Sequence, residues 1–479
     1  MNTLTPIQLT NDRYRLGYHV AAPAGWINDP NGFCFFKGYY HIFYQHYPYG
    51  AQWGPMHWGH ARSQDLIHWE TLPIALTPGD PEDKDGCFSG SAIVKDDKLY
   101  LIYTGHHYYP GEDDPDHFWQ NQNMAYSEDG IHFTKYANNP IIAAPPADNT
   151  HHFRDPKVWQ VKDTYYMVLG SQAQTGLGRV ILYQSMDLKT WTYLGPLAQA
   201  KDLTQEGFMW ECPDFFNLAG QDILLTSPQG IQAQGKHYLN LYQTGYFVGQ
   251  WSPQTHQFNH THFKELDAGH DFYATQTTLA PDGRRLVFGW LDMWESNLPE
   301  QADGWAGALT LPRELTLKDD HLYMKPVAEA VNLRESTLQE GQLTTSTTPT
   351  TLSADLSQAE LKLDLDLTVF QDQNFDLTFE NQQHQSVLNL HFEGATNEIT
   401  LTNKNHATPR YATLQKNDQL HLRLFIDTSS AEFFFNQGEV VFSERFYTET
   451  APKISLTSSK TATFDSVLYK LMAQTITFS

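Results

Sequence analysis

Cysteine is scarce in this chain of 479 residues: Cys34, Cys87 and Cys212 are the three present, and no two of them have the short spacing of a metal or redox pair. That excludes a disulfide framework or a cysteine-based zinc site and fits thiols kept reduced in a cytosol. Basic residues are also few, 31 Lys and Arg against 55 Asp and Glu, for a net charge of −24 with no Lys/Arg block. The electrostatic footprint of a phosphate backbone is missing, so nucleic acid is not an expected partner. No stretch is apolar enough to span a bilayer, and the opening MNTLTPIQLTNDRYRLGYHV has neither the basic start nor the apolar core of a signal peptide. The expectation is a cytoplasmic protein that does not partner with a membrane.

Aromatic residues, by contrast, reach 14%, and all twelve tryptophans fall between Trp26 and Trp305. That shift in composition marks a domain boundary. Beyond it, the charged, alanine-containing stretch 324–335 reads as a short helix, and the polar run GQLTTSTTPTTLS at 341–353 reads as a linker.

Within the tryptophan-rich part the chain repeats itself. A serine-to-aromatic phrase begins at Ser63 (SQDLIHW), Ser127 (SEDGIHF), Ser185 (SMDLKTW) and Ser252 (SPQTHQF). Each phrase follows an aromatic and β-branched run and carries turn residues, as a hairpin between outer strands would. A second series runs in another phase through Asp29 (NDPNG), Ser89 (FSGS), Asp155 (RDP), Glu211 (ECPD) and Asp271 (DFY), spaced by 60, 66, 56 and 60 residues. Five such units predict a five-bladed β-propeller, whose innermost strands line one channel and gather residues distant in sequence. Further on, strict alternation at 361–369 (LKLDLDLTV), 421–426 (HLRLFI) and 439–442 predicts the half-buried strands of a β-sandwich. The expected layout is an all-β chain: a propeller over 1–320, a helical connector and linker over 321–350, and a sandwich over 351–479.

Three acids of the second series, Asp29, Asp155 and Glu211, are the candidates for chemistry, since paired carboxyl groups are the usual means of hydrolysing a glycosidic bond. NDPNG alone reads equally as a turn, Arg154-Asp155 as a surface ion pair, and Glu211 as a buried structural acid. Their common phase in three blades favours a shared site. Glu211 lies between apolar Met209, Trp210, Cys212 and Pro213, whose desolvation would raise its pKa and suit it as the acid. Asp29, beside Asn28 and turn N–H donors, suits the nucleophile. Arg154 is expected to hold Asp155 ionised for binding sugar hydroxyls and stabilising positive charge. Trp26, Trp53, Trp58, Phe88, Tyr273 and Trp290 are candidate stacking faces, although most tryptophans must pack between blades. Asn28, Gln45, Ser89 and Arg154 are candidate polar contacts. The pairs His106-His107 and His151-His152 invite a metal reading, but neighbours on a strand point to opposite faces, and no metal is expected. Cys212 reads as a small buried filler.

At these residues the sequence resembles glycoside hydrolase family 32, which includes the invertases and sucrose-6-phosphate hydrolases. The resemblance is carried by residues 26–32 (WINDPNG), 88–91 (FSGS), 154–156 (RDP) and 210–213 (WECP), with Gln45, Trp53, residues 271–274 (DFYA) and 304–315 (GWAGALTLPREL). It implies a five-bladed propeller followed by a sandwich, hydrolysis with retention, a small-molecule sugar as partner and no cofactor. It also implies Asp29 as nucleophile, Asp155 as transition-state stabiliser and Glu211 as acid/base. Asn28, Gln45, Trp53, Phe88, Ser89, Arg154, Tyr273 and Trp290 carry over as contacts to substrate. Residues 426–439 resemble a strand pair of the family's sandwich, while 404–413 keep only a blurred version of its usual segment. A fructosyltransferase with the same acids, a non-catalytic sugar-binding propeller and an arabinose-directed hydrolase are the competing readings. The full NDPNG, FSGS and ECP set favours fructose. The missing signal peptide inclines the substrate toward sucrose 6-phosphate, with Lys236, His237, Arg179 or the histidine pairs as candidate phosphate contacts.

Overall fold

Every repeat seen in the sequence folds into its own antiparallel sheet in the computed structural model, which describes residues 5–478 apart from 112, 113, 115, 353–355, 369 and 371. The first blade is Gly25–Phe36, Tyr39–Tyr47, His57–Ser63 and Trp69–Leu76; the others begin on the inner strands Gly86–Lys95, Asn149–Val161, Met209–Leu218 and Tyr273–Leu279. These five inner strands contact one another in a closed ring, the fifth meeting the first. Two short additions latch onto the first blade in parallel: Trp305–Ala306 beside its inner strand and Ile476–Thr477 beside its outer one.

The serine phrase has a local cause. Ser63, Ser127 and Ser185 each end a third strand and donate to the aspartate two residues on, Asp65, Asp129 and Asp187, at 2.9–3.0 Å. Those carboxylates in turn accept backbone N–H groups of the turn that leads to the fourth strand.

The C-terminal region is two six-stranded sheets packed face to face around Leu361, Leu363, Phe375, Leu377, Phe433 and Phe442. The alternation at 361–369 lies in the strand Ala359–Asp366, which buries every second side chain; Val369 is outside the described residues. The expected helical connector and linker over 321–350 is different in structure. His321–Pro326 is the outer strand of the fifth blade, Ala328–Leu333 is a short 3-10 helix, and Arg334–Thr345 is a strand paired with Ala462–Leu471. Its polarity misleads because it is an exposed sheet edge, where β-branched threonine is at home. Of the polar run, Ser353 lies outside the described residues.

Charge, rather than apolar surface alone, joins propeller to sandwich. Arg313, fully buried in the fifth blade, bonds Asp267 at 3.0 Å and Glu432 through Nε at 3.0 Å. His19 bridges Asp427 (2.8 Å) and Glu432 (2.6 Å), and Arg445 reaches Glu300 at 2.9 Å. Buried charges of this kind are tolerable only when paired on all sides.

Candidate active site

At one phase every inner strand loses register with its neighbour: between Ile27 and Pro30, Phe88 and Gly90, Arg154 and Lys157, Glu211 and Asp214, and Tyr273 and Thr275. Five β-bulges therefore ring the channel, and a bulge re-aims the side chains beside it. The recurrent prolines Pro30, Pro156 and Pro213 fall there because a broken ladder does not need their missing N–H. Asp155, Cys212 and Ala274 take left-handed backbone with φ of 64°, 48° and 46°. Such strain costs ~1–3 kcal/mol per residue and collects where geometry matters to function. NDPNG is thus a bulged part of the strand Gly25–Phe36 and not a turn.

Asp29 is held from three sides. Ser89 Oγ donates to Oδ2 at 2.6 Å, Asn28 Nδ2 to Oδ1 at 3.0 Å, and the Cys212 thiol lies 3.5 Å from Oδ2. Trp26 Nε1 donates to Asn28 Oδ1 at 2.8 Å and so fixes which end of that amide faces the carboxylate. Burial and then the charge of Glu211 push the Asp29 carboxyl up, while its hydrogen bonds from Ser89, Asn28 and Cys212 oppose this.

Asp155 accepts the Cys212 backbone N–H at 2.9 Å, and its own N–H donates to Thr104 Oγ1 at 3.1 Å. Burial pushes its carboxyl up to about 7, against the Arg154 charge and with help from Glu211 and Asp29. Arg154 acts on Asp155 in the expected direction but is outweighed by burial, and its side-chain hydrogen bonds go to Glu211. Arg154 Nε and Nη2 both donate to Glu211 Oε1, at 3.0 and 2.9 Å. Gln229 Nε2 (2.8 Å) and the Tyr273 hydroxyl (2.5 Å) donate to Oε2. Apolar Met209, Trp210 and Cys212, expected to surround Glu211, are themselves buried while the Glu211 carboxylate faces these polar donors.

Several further expectations change in detail. Cys212 is more than filler: its N–H and thiol both serve the two aspartates. Asp29, Asp155 and Cys212 offer potential metal-ligand atoms within 4.8 Å of one another. Burial and the adjacent carboxylates push the Cys212 thiol well above 9, which disfavours the thiolate a metal would need. Asp271, the fifth member of the series, turns away from the channel to accept Arg445 N–H at 2.7 Å in the sandwich, with His406 at 3.5 Å; Tyr273 takes the place at the site. Trp290 is fully buried against Trp26 and Trp294, and Trp58 is fully buried with its Nε1 on the Phe88 carbonyl. Gln45 is buried too, donating to the Cys87 carbonyl at 3.0 Å. Trp53, 41% exposed, stands edge-on to Phe88. His106 and His107 diverge, stacking on Phe88 and Trp119, whereas His151 and His152 lie ring beside ring at 4.4 Å.

Gln229 and Tyr242, which packs 6.1 Å from Tyr273, escaped the sequence reading. For Gln229 the turn alone misleads: the register of the two-residue Ala219-Gly220 turn would set Glu211 opposite position 228, and the bulge between Glu211 and Asp214 moves the pairing to Ser227 and makes Gln229 the diagonal neighbour.

Fold and site together define a glycoside hydrolase of the propeller type. The pattern of the Glycosyl hydrolases family 32 N-terminal domain matches residues 19–326, and that of the Glycosyl hydrolases family 32 C terminal matches 325–470. This chain belongs to glycoside hydrolase family 32. It is 45% identical to a sucrose-6-phosphate hydrolase of Escherichia coli, over 90% of this chain and 88% of that one. It is 43% identical to a sucrose-6-phosphate hydrolase of Zymomonas mobilis, over 92% and 88%. Among solved structures, a Bombyx mori GH32 beta-fructofuranosidase mutant in complex with sucrose superposes with a TM-score of 0.89 at 38% identity, covering 98% of this chain and 96% of that one. A sucrose-6-phosphate hydrolase from Lactobacillus gasseri gives 0.86 at 31%, over 97% and 95%.

Proposed function

We propose that this protein is a retaining β-fructofuranosidase that releases fructose from sucrose or sucrose 6-phosphate. The observation that carries the reading is the convergence of Asp29, Asp155 and Glu211 from three blades, with the donors Ser89, Arg154, Gln229 and Tyr273 arranged around them. The relatives, named as sucrose-6-phosphate hydrolases, and the sucrose-bound structure support that substrate class.

In the proposed reaction Asp29 attacks the anomeric carbon of the fructosyl unit, forming a glycosyl ester as the bond to the leaving oxygen breaks. Glu211 gives its proton to that oxygen. Glu211 then takes a proton from water, whose oxygen attacks the same carbon and frees Asp29, so that two inversions give net retention. Asp155 binds fructose hydroxyls and offsets positive charge on the ring in the transition state. The residues named as substrate contacts in the sequence belong to this proposal, with exposed Trp53 and half-buried Phe88 as the stacking edge and Trp26 and Trp290 in the cluster behind Phe88. We assign catalysis to 1–320 and a supporting role to the sandwich over 351–479. The three unpaired, buried cysteines support a cytoplasmic site of action.

Sucrose supplied to the protein should yield fructose and glucose in equal amounts, with fructose first appearing as the β-furanose by NMR. Release of the α anomer would overturn retention, and transfer to a second sugar in place of water would make the protein a transferase.

A further inference from the structure

We propose that the leaving-group side of this pocket is built for an uncharged sugar, so that the protein prefers sucrose to sucrose 6-phosphate. The inference rests on the fructosidase reading above and narrows its substrate.

The cations that the sequence offered for a phosphate are spent elsewhere. Lys236 is paired with Glu398 of the sandwich at 2.5 Å, and His237 faces Glu265 at 3.6 Å. Arg179 bonds Asp148 and Asn149 at 2.9 Å each. Arg154 reaches the pocket, but its guanidinium is committed to Glu211 and, through Nη1, to His152 Nδ1 at 2.9 Å. An imidazole nitrogen that accepts from a guanidinium carries no proton there, so His152 is neutral in this pairing. Burial and the Arg154 charge act in the same direction, pulling His152 down to about 2 and His151 below its ordinary value.

Around these groups runs a wall of uncharged rings. Phe88 stacks on His106 at 4.1 Å, His106 meets Phe118 at 4.9 Å, and Phe118 meets His151 edge-on at 4.6 Å. Flat faces and neutral nitrogen atoms of this kind suit the C–H faces and hydroxyls of a hexose. The outer charges have the wrong sign for phosphate. Burial comes first among the causes that raise the Tyr242 hydroxyl, but the carboxylates Glu211, Glu295 and Asp116 also act on it, with Arg154 opposing them. Asp116 and Glu295 are exposed, and their charges reach Tyr242 beside the site. A phosphate dianion here would meet the Glu211 carboxylate and a guanidinium already paired with it, on a protein of net charge −24.

The experiment is kcat/KM for sucrose and sucrose 6-phosphate side by side, in the wild type and in Asp116→Lys and Glu295→Lys. Both changes lie on exposed positions, where folding is not at risk. The wild type should favour sucrose at least tenfold, and each lysine should narrow that ratio at least threefold at low salt, with the effect fading as salt is raised. Equal rates on the two sugars, or a preference for the phosphate, would overturn the inference. So would a sucrose preference that neither lysine alters, because the rim charges would then not be its cause. Failure to release fructose from either sugar would instead strike the fructosidase reading itself.

Discussion

Arg154 places two N–H groups on one oxygen of Glu211, at 3.0 and 2.9 Å, across the gap between the third and fourth blades, and makes no such bond to its neighbour in sequence, Asp155, which has no side-chain cation partner among the described residues. Arg154 thus orients the proposed acid, while burial outweighs its charge at Asp155 and raises that carboxyl. Replacing Arg154 by Lys keeps the charge but cannot reproduce the fork of donors to Glu211 and His152. A loss of about 10- to 100-fold in kcat is expected, with folding preserved. Wild-type turnover in Arg154→Lys would show that the fork does not matter.

Asp29→Ala and Glu211→Ala should each lose most of kcat, about a thousandfold or more, while circular dichroism and thermal melting stay close to wild type. For Glu211→Ala, a fructoside with a good leaving group should lose much less than sucrose does. Equal losses on the two substrates would remove Glu211 as the acid.

Asp155 carries a stability cost that its function requires. Its carboxyl is raised to about 7 in the fold, so folding favours the protonated form, and that favour is lost as pH rises through about 7. Asp155→Asn should therefore raise stability by about 1–3 kcal/mol at pH 8, with little gain below about pH 4, while abolishing activity. A variant less stable than wild type at pH 8 would contradict this account.

His19 has the opposite value to the fold. Burial opposes its charge, but hydrogen bonds to Asp427 and Glu432 carry its pKa from 6.5 up to about 9. The stabilisation is complete below about pH 6.5 and is lost as pH rises through about 9. Urea unfolding at pH 6 and pH 9.5 should show a loss of about 1–3 kcal/mol that His19→Gln abolishes. An unchanged pH dependence in His19→Gln would place the effect elsewhere.

The propeller and the three acids were legible in the sequence because both depend on a period. The turn phrase at Ser63, Ser127 and Ser185 and the bulge phrase at Asp29, Asp155 and Glu211 each recur in three of the five blades, and recurrence needs no knowledge of contacts. Partners across blades leave no such trace. That Arg154 meets Glu211 depends on bulges in both inner strands, which reverse the alternation a strand would otherwise impose, and the pairings of Asp271 with Arg445 and of Trp290 with Trp26 join parts of the chain distant in sequence. The strand Arg334–Thr345 was hidden for another reason: an edge strand wet on both faces lacks the apolar alternation by which strands are recognised.

The most direct test of the whole account is to capture the covalent intermediate. Glu211→Ala, given an activated fructoside, should form the fructosyl ester and then lose it slowly, because no base remains to activate water. Peptide mass spectrometry after an acid quench should find one hexosyl group on the carboxylate of Asp29, in the peptide containing NDPNG. A hexosyl group on Asp155 or on any other residue, or turnover with inversion and no adduct at all, would contradict it.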